Sequence, residues 1–357
     1  MDLPAGAPTA DELWDAGLGR LSAEVRDHLL GGASDGCGPA RNRAALEQVL
    51  FVPKVVGGAR PPDLGTTFLG RRISAPFGTA PIGSVDLATP QAARAIVEVL
   101  ARRGLAGFVG LLALEDLRTM APLPESAVML QLYLRGDDGW LHETVKLSED
   151  KGFHGFCVTV DSREKAYRPR DRRNRYVKRD NLGKPPNLPD DPLAYDHQRA
   201  VDWQRLERLR AMTDRPLVLK GLLHTAEARR AVEVGFDGVY VSNHGGRNVG
   251  HTIATAEALA EIAQVVPEEC AVVVDGGFRD AEDVLKARCL GADLVTFGRS
   301  HFLALAAGGA AGLEALFEAL DEQMRLTMRL LGVESLAELT PDLVRIGPPW
   351  QTVHAHH

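Results

Sequence analysis

From Ser74 onward the chain alternates between short apolar runs and longer amphipathic stretches. The runs cover residues 75–82, 107–111, 127–134, 155–160, 216–220, 238–242, 271–275 and 294–298, each of strand length and bounded by turn-forming or polar residues. Between them, apolar residues recur at helical spacing over 90–103, 113–120, 140–149, 203–212, 225–234, 255–265 and 281–290. Eight strands with intervening helices predict an α/β fold, the (β/α)8 TIM barrel, with its working residues at the carboxyl ends of the strands. A doubly wound open sheet is the alternative, but no Gly-x-Gly-x-x-Gly follows an early strand.

The first part of the chain has a different rhythm. Residues 10–30 carry helix-like apolar spacing broken by Gly31, Gly32, Gly36 and Gly38, a second helical piece follows at 41–50, and the segment to Arg72 reads as loop and edge strand. This divides the protein into an N-terminal helical lead-in, 1–73, and a barrel with C-terminal helices, 74–357. Residues 310–331 predict the last barrel helix. The charged, proline-containing stretch 171–200 reads equally as a lid over the site or as plain connection.

Composition narrows the function. A length of 357 residues with 45% hydrophobic and 25% charged positions suits one barrel-sized domain, and a net charge of -7 argues against a nucleic-acid partner. No uninterrupted apolar run reaches the roughly 18 residues of a membrane span, and the start of the chain does not resemble a signal peptide, so a cytoplasmic protein without a membrane partner is expected. Cys37, Cys157, Cys270 and Cys289 have no metal-type spacing, which predicts reduced thiols and no metal site. His354, His356 and His357 read as a solvated tail.

Polar residues gather where the apolar runs stop: Gln131 and Tyr133, then Thr159 and Asp161, Lys220, Ser242 and His244, Asp275 with Gly276 and Gly277, and Gly298 with Arg299. A lysine closing the run Leu217-Val218-Leu219 must meet an anion or an electron-rich ring at the barrel mouth. In Ser242-Asn243-His244-Gly245-Gly246-Arg247, a proton acceptor and a fixed cation lie three residues apart in a glycine-freed loop, where both can converge on one small anion.

With Asp275-Gly276-Gly277-Phe278-Arg279, Gly298-Arg299 and Lys220-Gly221 in order, the sequence resembles the FMN-dependent 2-hydroxy-acid oxidase and dehydrogenase family over about 25–339. That family includes glycolate oxidase, lactate oxidase, mandelate dehydrogenase and the flavin domain of flavocytochrome b2. The resemblance implies oxidation of an L-2-hydroxy acid, or a related α-substituted acid, to the 2-oxo acid, with FMN as cofactor and oxygen or another electron acceptor. It makes His244 the base, Asp161 the carboxylate orienting it, Arg168 and Arg247 the grip on the substrate carboxylate, and Tyr133 a substrate contact. It places Lys220 near the flavin, Thr79, Ala80, Pro81, Gly83, Gln131, Thr159 and Ser242 around the ring, and Asp275, Gly276, Gly277, Arg279, Gly298 and Arg299 around ribityl phosphate. A homo-oligomer, tetramer or octamer, is implied too. For Lys220 the alternative is a rim salt bridge, and for Arg168 a solvated basic run.

The departures from the family bear on substrate. His28 replaces a tyrosine that contacts the substrate carboxylate in relatives, the region 107–112 is short and lacks the usual serine, threonine and tryptophan, and Asn248 and Gly250 stand where glutamine and aspartate are common. These changes point to a substrate bulkier than glycolate or lactate. Gly83 lies where oxidases often carry alanine and dehydrogenases glycine, favouring an acceptor other than oxygen. Non-redox, isomerase-like chemistry on an FMN barrel and a flavin-binding protein without turnover are the alternatives.

Overall fold

The computed structural model describes residues 7–56, 60–113, 115–123, 125–176 and 185–347. All eight apolar runs are strands: Phe77–Thr79, Ala106–Gly110, Ala127–Leu132, Phe156–Thr159, Leu217–Leu222, Gly238–Val241, Ala271–Val274 and Leu294–Phe297, hereafter strands one to eight. They form a single parallel sheet in the order one, eight, seven, six, five, four, three, two. Strands one and two close the ring. The Thr79 hydroxyl donates to the Phe108 carbonyl at 3.3 Å, and a Cβ added to Gly78 would lie 1.8 Å from the Ala106 carbonyl oxygen, so only glycine permits this approach.

Alternation along the strands separates two cores. Phe108, Met129, Cys157, Val218, Tyr240 and Val273 pack together inside the barrel, joined by Phe68 and Ile73 from the hairpin Thr66–Phe68/Arg71–Ile73. Val109, Leu130, Val158, Leu219, Val239 and Val272 belong instead to the apolar layer shared with the helices. Both faces are buried, which is why the strands read as continuous apolar runs.

Helices Ala92–Arg103, Asp138–Asp150, Trp203–Arg210, Thr225–Val234, Thr255–Ile262 and Ala281–Cys289 fall where the spacing predicts them. The helix expected over 113–120 does not form among the described residues. Asp116 turns the chain instead, accepting from the Arg118 amide at 3.0 Å, and Asn187 pins the segment by accepting from the Leu117 amide at 2.8 Å and donating to the Glu115 carbonyl at 3.0 Å. Local turn chemistry outweighs a short apolar periodicity there.

The lead-in folds as helices Ala10–Arg20, Ala23–Leu30 and Cys37–Glu47. Thr9 and Glu12 cap the first reciprocally, and Ser22 caps the second. Gly17 lets the first helix touch the last: a Cβ there would come within 2.2 Å of the Leu303 carbonyl oxygen. Val49–Phe51 pairs antiparallel with Val344–Ile346 and ties the lead-in to the C-terminal segment.

The last helix is longer than expected, Arg299–Leu331, with a break at Gly308 and Gly309. Its length and composition would suffice to cross a bilayer, unlike any run apparent from the uninterrupted apolar stretches; here it packs on Ala10–Arg20 and Ala92–Arg103. Within it, the buried His301 donates from Nδ1 to the Phe297 carbonyl and leaves Nε2 unpartnered. Burial pushes this imidazole down to about 4 from its ordinary 6.5. The unfolded chain therefore takes up the proton first on acidification, and the stability present above pH 6.5 is lost as pH falls to about 4, by roughly 3 kcal/mol. Denaturant melts of the wild type and His301→Leu across this window check it, the variant giving the flatter profile.

Candidate active site

A cavity of about 1490 Å³ opens at the carboxyl ends of the strands, larger than an ordinary single-ligand pocket of ~300–1,000 Å³. Its wall includes Ala80, Pro81, Gly83, Tyr133, Lys220, His244, Arg247, Asp275, Gly276, Gly277, Arg279, Gly298 and Arg299. Segments on either side of 177–184, which lies outside the described residues, cover it through Arg168, Tyr176, Leu188 and Tyr195. Thr79, Gln131, Thr159 and Ser242 are buried behind this lining rather than in it. Thr79 bonds across the barrel seam, and the Gln131 amide donates to Thr159 Oγ1 at 2.9 Å.

A polar network forms the floor. Strand five carries a register shift between Lys220 and Leu222 at Gly221, whose φ of 111° and 2.6 Å approach of a built Cβ to Asp161 Cβ both require glycine. Lys220 Nζ, only 3% exposed as a residue, donates to Ser242 Oγ at 2.7 Å and lies 3.0 Å from Asp275 Oδ2. Ser242 Oγ donates to Asp275 Oδ1 at 2.6 Å, and the Tyr240 phenol reaches Asp275 Oδ2 at 3.1 Å. Burial opposes the lysine's charge, but Asp275, Asp161 and Cys157 outweigh it and hold the ammonium above its ordinary value. The rim salt bridge weighed for Lys220 is thus present, buried, and still borders the cavity.

His244 follows strand six in a left-handed conformation, φ 56°, which aims its ring at strand four's end. Nδ1 lies 3.2 and 3.3 Å from the two Asp161 oxygens. This carboxylate is buried, which would raise its pKa, yet the charge and hydrogen bond of His244 together with Lys220 hold it below the usual range. An ionised Asp161 fixes the proton on Nδ1 and leaves Nε2 as the basic nitrogen. Asn248 fastens this arrangement, its Nδ2 donating to the Asp161 carbonyl at 3.0 Å and to Ser162 Oγ at 2.9 Å.

Cations crowd the other side. Arg247 Nη1 donates to the carbonyls of His28, Leu29 (3.2 Å) and Gly31 (2.9 Å) at the end of helix Ala23–Leu30, while Nε and Nη2 have no acceptor among the described residues. Burial, then Arg168 and Arg299, push its pKa well down, so this site favours an incoming anion. Arg168 is not a solvated surface residue, but it is largely committed: Nε donates to the Arg247 carbonyl at 2.9 Å and Nη2 to Asn248 Oδ1 at 3.3 Å. Arg299 bonds only carbonyls, of Leu29 at 2.9 Å and Gly245 at 3.2 Å, and burial brings it down to about 10. Arg279 lies over the Trp14 ring at 4.3 Å. Neither Arg279 nor Arg299 forms an ion pair among the described residues, as fits a phosphate beside the amides of Gly276 and Gly277.

Sequence reasoning missed Trp14, Asn42, Arg43 and Tyr176. Asn42 and Asn243 exchange amide hydrogen bonds at 2.8 Å across 201 positions, and Arg43 Nη2 pairs with Asp283 at 2.7 Å, holding the loop after strand seven. No local pattern marks such partners.

A parallel barrel with a buried cation, a carboxylate-held histidine and unpaired arginines at one mouth suits an anionic substrate beside a phosphate-bearing cofactor, and the donor set fits FMN. The chain belongs to the FMN-dependent dehydrogenase family, whose model matches residues 19–346. It is an FMN-dependent 2-hydroxy-acid oxidoreductase. Similar proteins include 4-hydroxymandelate oxidase of Amycolatopsis orientalis, 33% identical with 88% of this chain and 92% of that one covered. L-Lactate oxidase of a Nostoc species is 31% identical, with 91% and 94% covered. Among solved structures, mandelate oxidase with (S)-4-hydroxymandelic acid aligns at TM-score 0.86 and 32% identity over 94% of this chain and 98% of that one. A soluble mutant of the membrane-associated (S)-mandelate dehydrogenase from Pseudomonas putida aligns at TM-score 0.86 and 26% identity over 95% and 99%.

Proposed function

We propose that this enzyme oxidises a 2-hydroxy acid with a bulky, aromatic-sized substituent, with His244 as the base and Arg247 as the principal carboxylate ligand. The observation that carries the base assignment is the contact of His244 Nδ1 with both Asp161 oxygens, at 3.2 and 3.3 Å, which leaves Nε2 free on the cavity wall. Arg247 presents Nε and Nη2 to an anion because the helix carbonyls occupy only Nη1. Arg168 positions the Arg247–Asn248 turn and adds positive charge to the same site. Tyr133, half-buried on the cavity wall and kept protonated by desolvation and Asp161, adds a donor.

Nε2 takes the substrate proton, and Asp161 stabilises the imidazolium that results. FMN, when bound, accepts the two electrons. Lys220 would hold it with a buried positive charge, and Arg279, Arg299 and the Gly276 and Gly277 amides would hold its phosphate. The bulky substituent is supported by the wall after strand two, where the segment makes turns instead of a helix and Leu112 faces the cavity. The hydroxymandelate-oxidising relative agrees with that size.

Anaerobic bleaching of the flavin by a panel from glycolate to mandelate and 4-hydroxymandelate tests this. The aromatic acids are expected to reduce the flavin at least about tenfold faster per molar than glycolate, each buried methylene-sized group contributing roughly 1 kcal/mol. Equal or reversed rates would sink the size assignment, and failure of every acid would sink the reaction. Admitting oxygen to the reduced enzyme then separates oxidase from dehydrogenase; Gly83 on the cavity wall favours slow reoxidation.

A further inference from the structure

A second group of ligating side chains gathers away from the cavity, where the lead-in loop meets the loop after strand six. Asp35 and Cys37 come from the start of helix Cys37–Glu47 and the turn before it, and His251 follows Arg247 by four residues. Cys37 Sγ, a ring nitrogen of His251 and a carboxylate oxygen of Asp35 all lie within 4.8 Å of one another. None of the three residues lines the cavity. Sequence spacing could not mark the group, because Cys37 and His251 are 214 positions apart.

The two loops that carry these side chains are locked together. The Ala33 amide donates to the Gly246 carbonyl at 2.9 Å, and a Cβ added to Gly38 would lie 2.8 Å from Gly246 Cα, so the backbones touch with no room for a side chain. Asp35 is oriented by accepting from the Cys37 amide at 3.1 Å through Oδ1, and its Oδ2 lies 3.3 Å from His251 Nε2. Cys37 Sγ stands 3.9 Å from both ring nitrogens, a separation shared equally and so not a directed hydrogen bond to either. A tetrahedral zinc ion with bonds of about 2.0–2.3 Å holds its ligand atoms roughly 3.3–3.6 Å apart. The oxygen–nitrogen pair already has that separation, and the sulfur–nitrogen pair reaches it by a small rotation of the exposed imidazole.

We propose that Asp35, Cys37 and His251 form a zinc site, with water as the fourth ligand. Carboxylate, thiolate and imidazole are all zinc donors, and three protein ligands leave one position open. On binding, the thiol loses its proton to solvent and exchanges its contact with the Gly250 carbonyl, at 3.5 Å, for the metal. The ion then joins the lead-in to the loop that carries His244 and Arg247, from outside the cavity. Such a site departs from the expectation of no metal, which rested on cysteine spacing alone, and does not depend on which acid the enzyme oxidises.

Cys37 is half-buried whereas Cys157, Cys270 and Cys289 are buried, so alkylation by N-ethylmaleimide reads Cys37 first. The FMN-bound full-length enzyme, freed of metal with a chelator, is alkylated at rising zinc concentrations. Zinc is expected to slow the reaction at least about tenfold, with half the effect near about micromolar zinc, weaker than in four-ligand zinc fingers. Magnesium and calcium, which take oxygen ligands, should not protect. His251→Ala and Asp35→Asn keep the thiol and should each need at least about tenfold more zinc, since losing a ligand costs no less than losing a residue that supports one. Their flavin content should be unchanged. Competition with a chromophoric chelator should count one more zinc in the wild type than in Cys37→Ser. Zinc on His354, His356 and His357 is common to every variant and drops out of the comparison. No protection, or equal zinc counts, overturns the site. Protection undiminished in either His251→Ala or Asp35→Asn overturns the three-ligand arrangement.

Discussion

Replacing His244 with asparagine is expected to slow flavin reduction by substrate roughly 10³- to 10⁴-fold, the range for losing a positioned general base. Asparagine is the informative substitution because residue 244 has φ 56°, a left-handed conformation that asparagine tolerates and most other side chains resist. The loop should keep its path, since the amide of residue 244 bonds Ser242 Oγ at 3.1 Å and Gly246 bonds the Asn243 carbonyl at 3.0 Å without the imidazole. FMN content and the visible spectrum should therefore remain those of the wild type. Asp161→Asn should also slow reduction, since a neutral amide cannot stabilise an imidazolium. Anaerobic stopped-flow reduction of both variants measures this, and wild-type reduction rates in His244→Asn would remove the residue from the mechanism.

Lys220→Met is expected to have the largest effect on the folded protein. It strands Asp275 in a buried site where the ammonium now lies 3.0 Å away, and loss of one partner of a buried pair destabilises by about 3–5 kcal/mol. Ser242 and Tyr240 still donate to the carboxylate at 2.6 and 3.1 Å, which places the effect toward the lower end. Flavin affinity should fall as well, because the only buried lysine on the described cavity wall is lost. Adding Asp275→Asn should recover much of the stability but not the flavin reduction by substrate. Denaturant melts and bound-flavin measurements on the single and double variants separate the two consequences. A double variant as unstable as the single one would show that Lys220 stabilises the fold through packing rather than charge.

These two residues show how far the sequence reaches. Lys220 and His244 end apolar runs, and in a parallel barrel the end of a run is the mouth, so both could be placed from the chain alone. The same reasoning located Asp161, Asp275 and Arg299. It failed for 113–120, where three or four apolar residues at helical spacing carried less free energy than the Asp116 turn and the hydrogen bonds from Asn187, 70 residues away. For Arg168 the basic neighbours left a solvated run as the alternative to a carboxylate ligand, and only the structure shows its guanidinium bonded to the Arg247–Asn248 turn.

By itself the sequence determined the eight strands, the closed α/β architecture, the polar residues at the strand ends and, through its ordered motifs, the FMN chemistry. The strands and the residues at their ends follow from short-range periodicity, written in neighbouring residues, whereas the FMN chemistry follows from the family resemblance that the motifs carry. Only the tertiary structure decided which donors are free. Arg247 keeps two nitrogens open because the carbonyls at the end of a lead-in helix occupy only its Nη1. Hydrogen-bond satisfaction is a property of atoms brought together from distant segments, 219 positions apart for Arg247 with His28 and 270 for Arg299 with Leu29, and no local pattern encodes it.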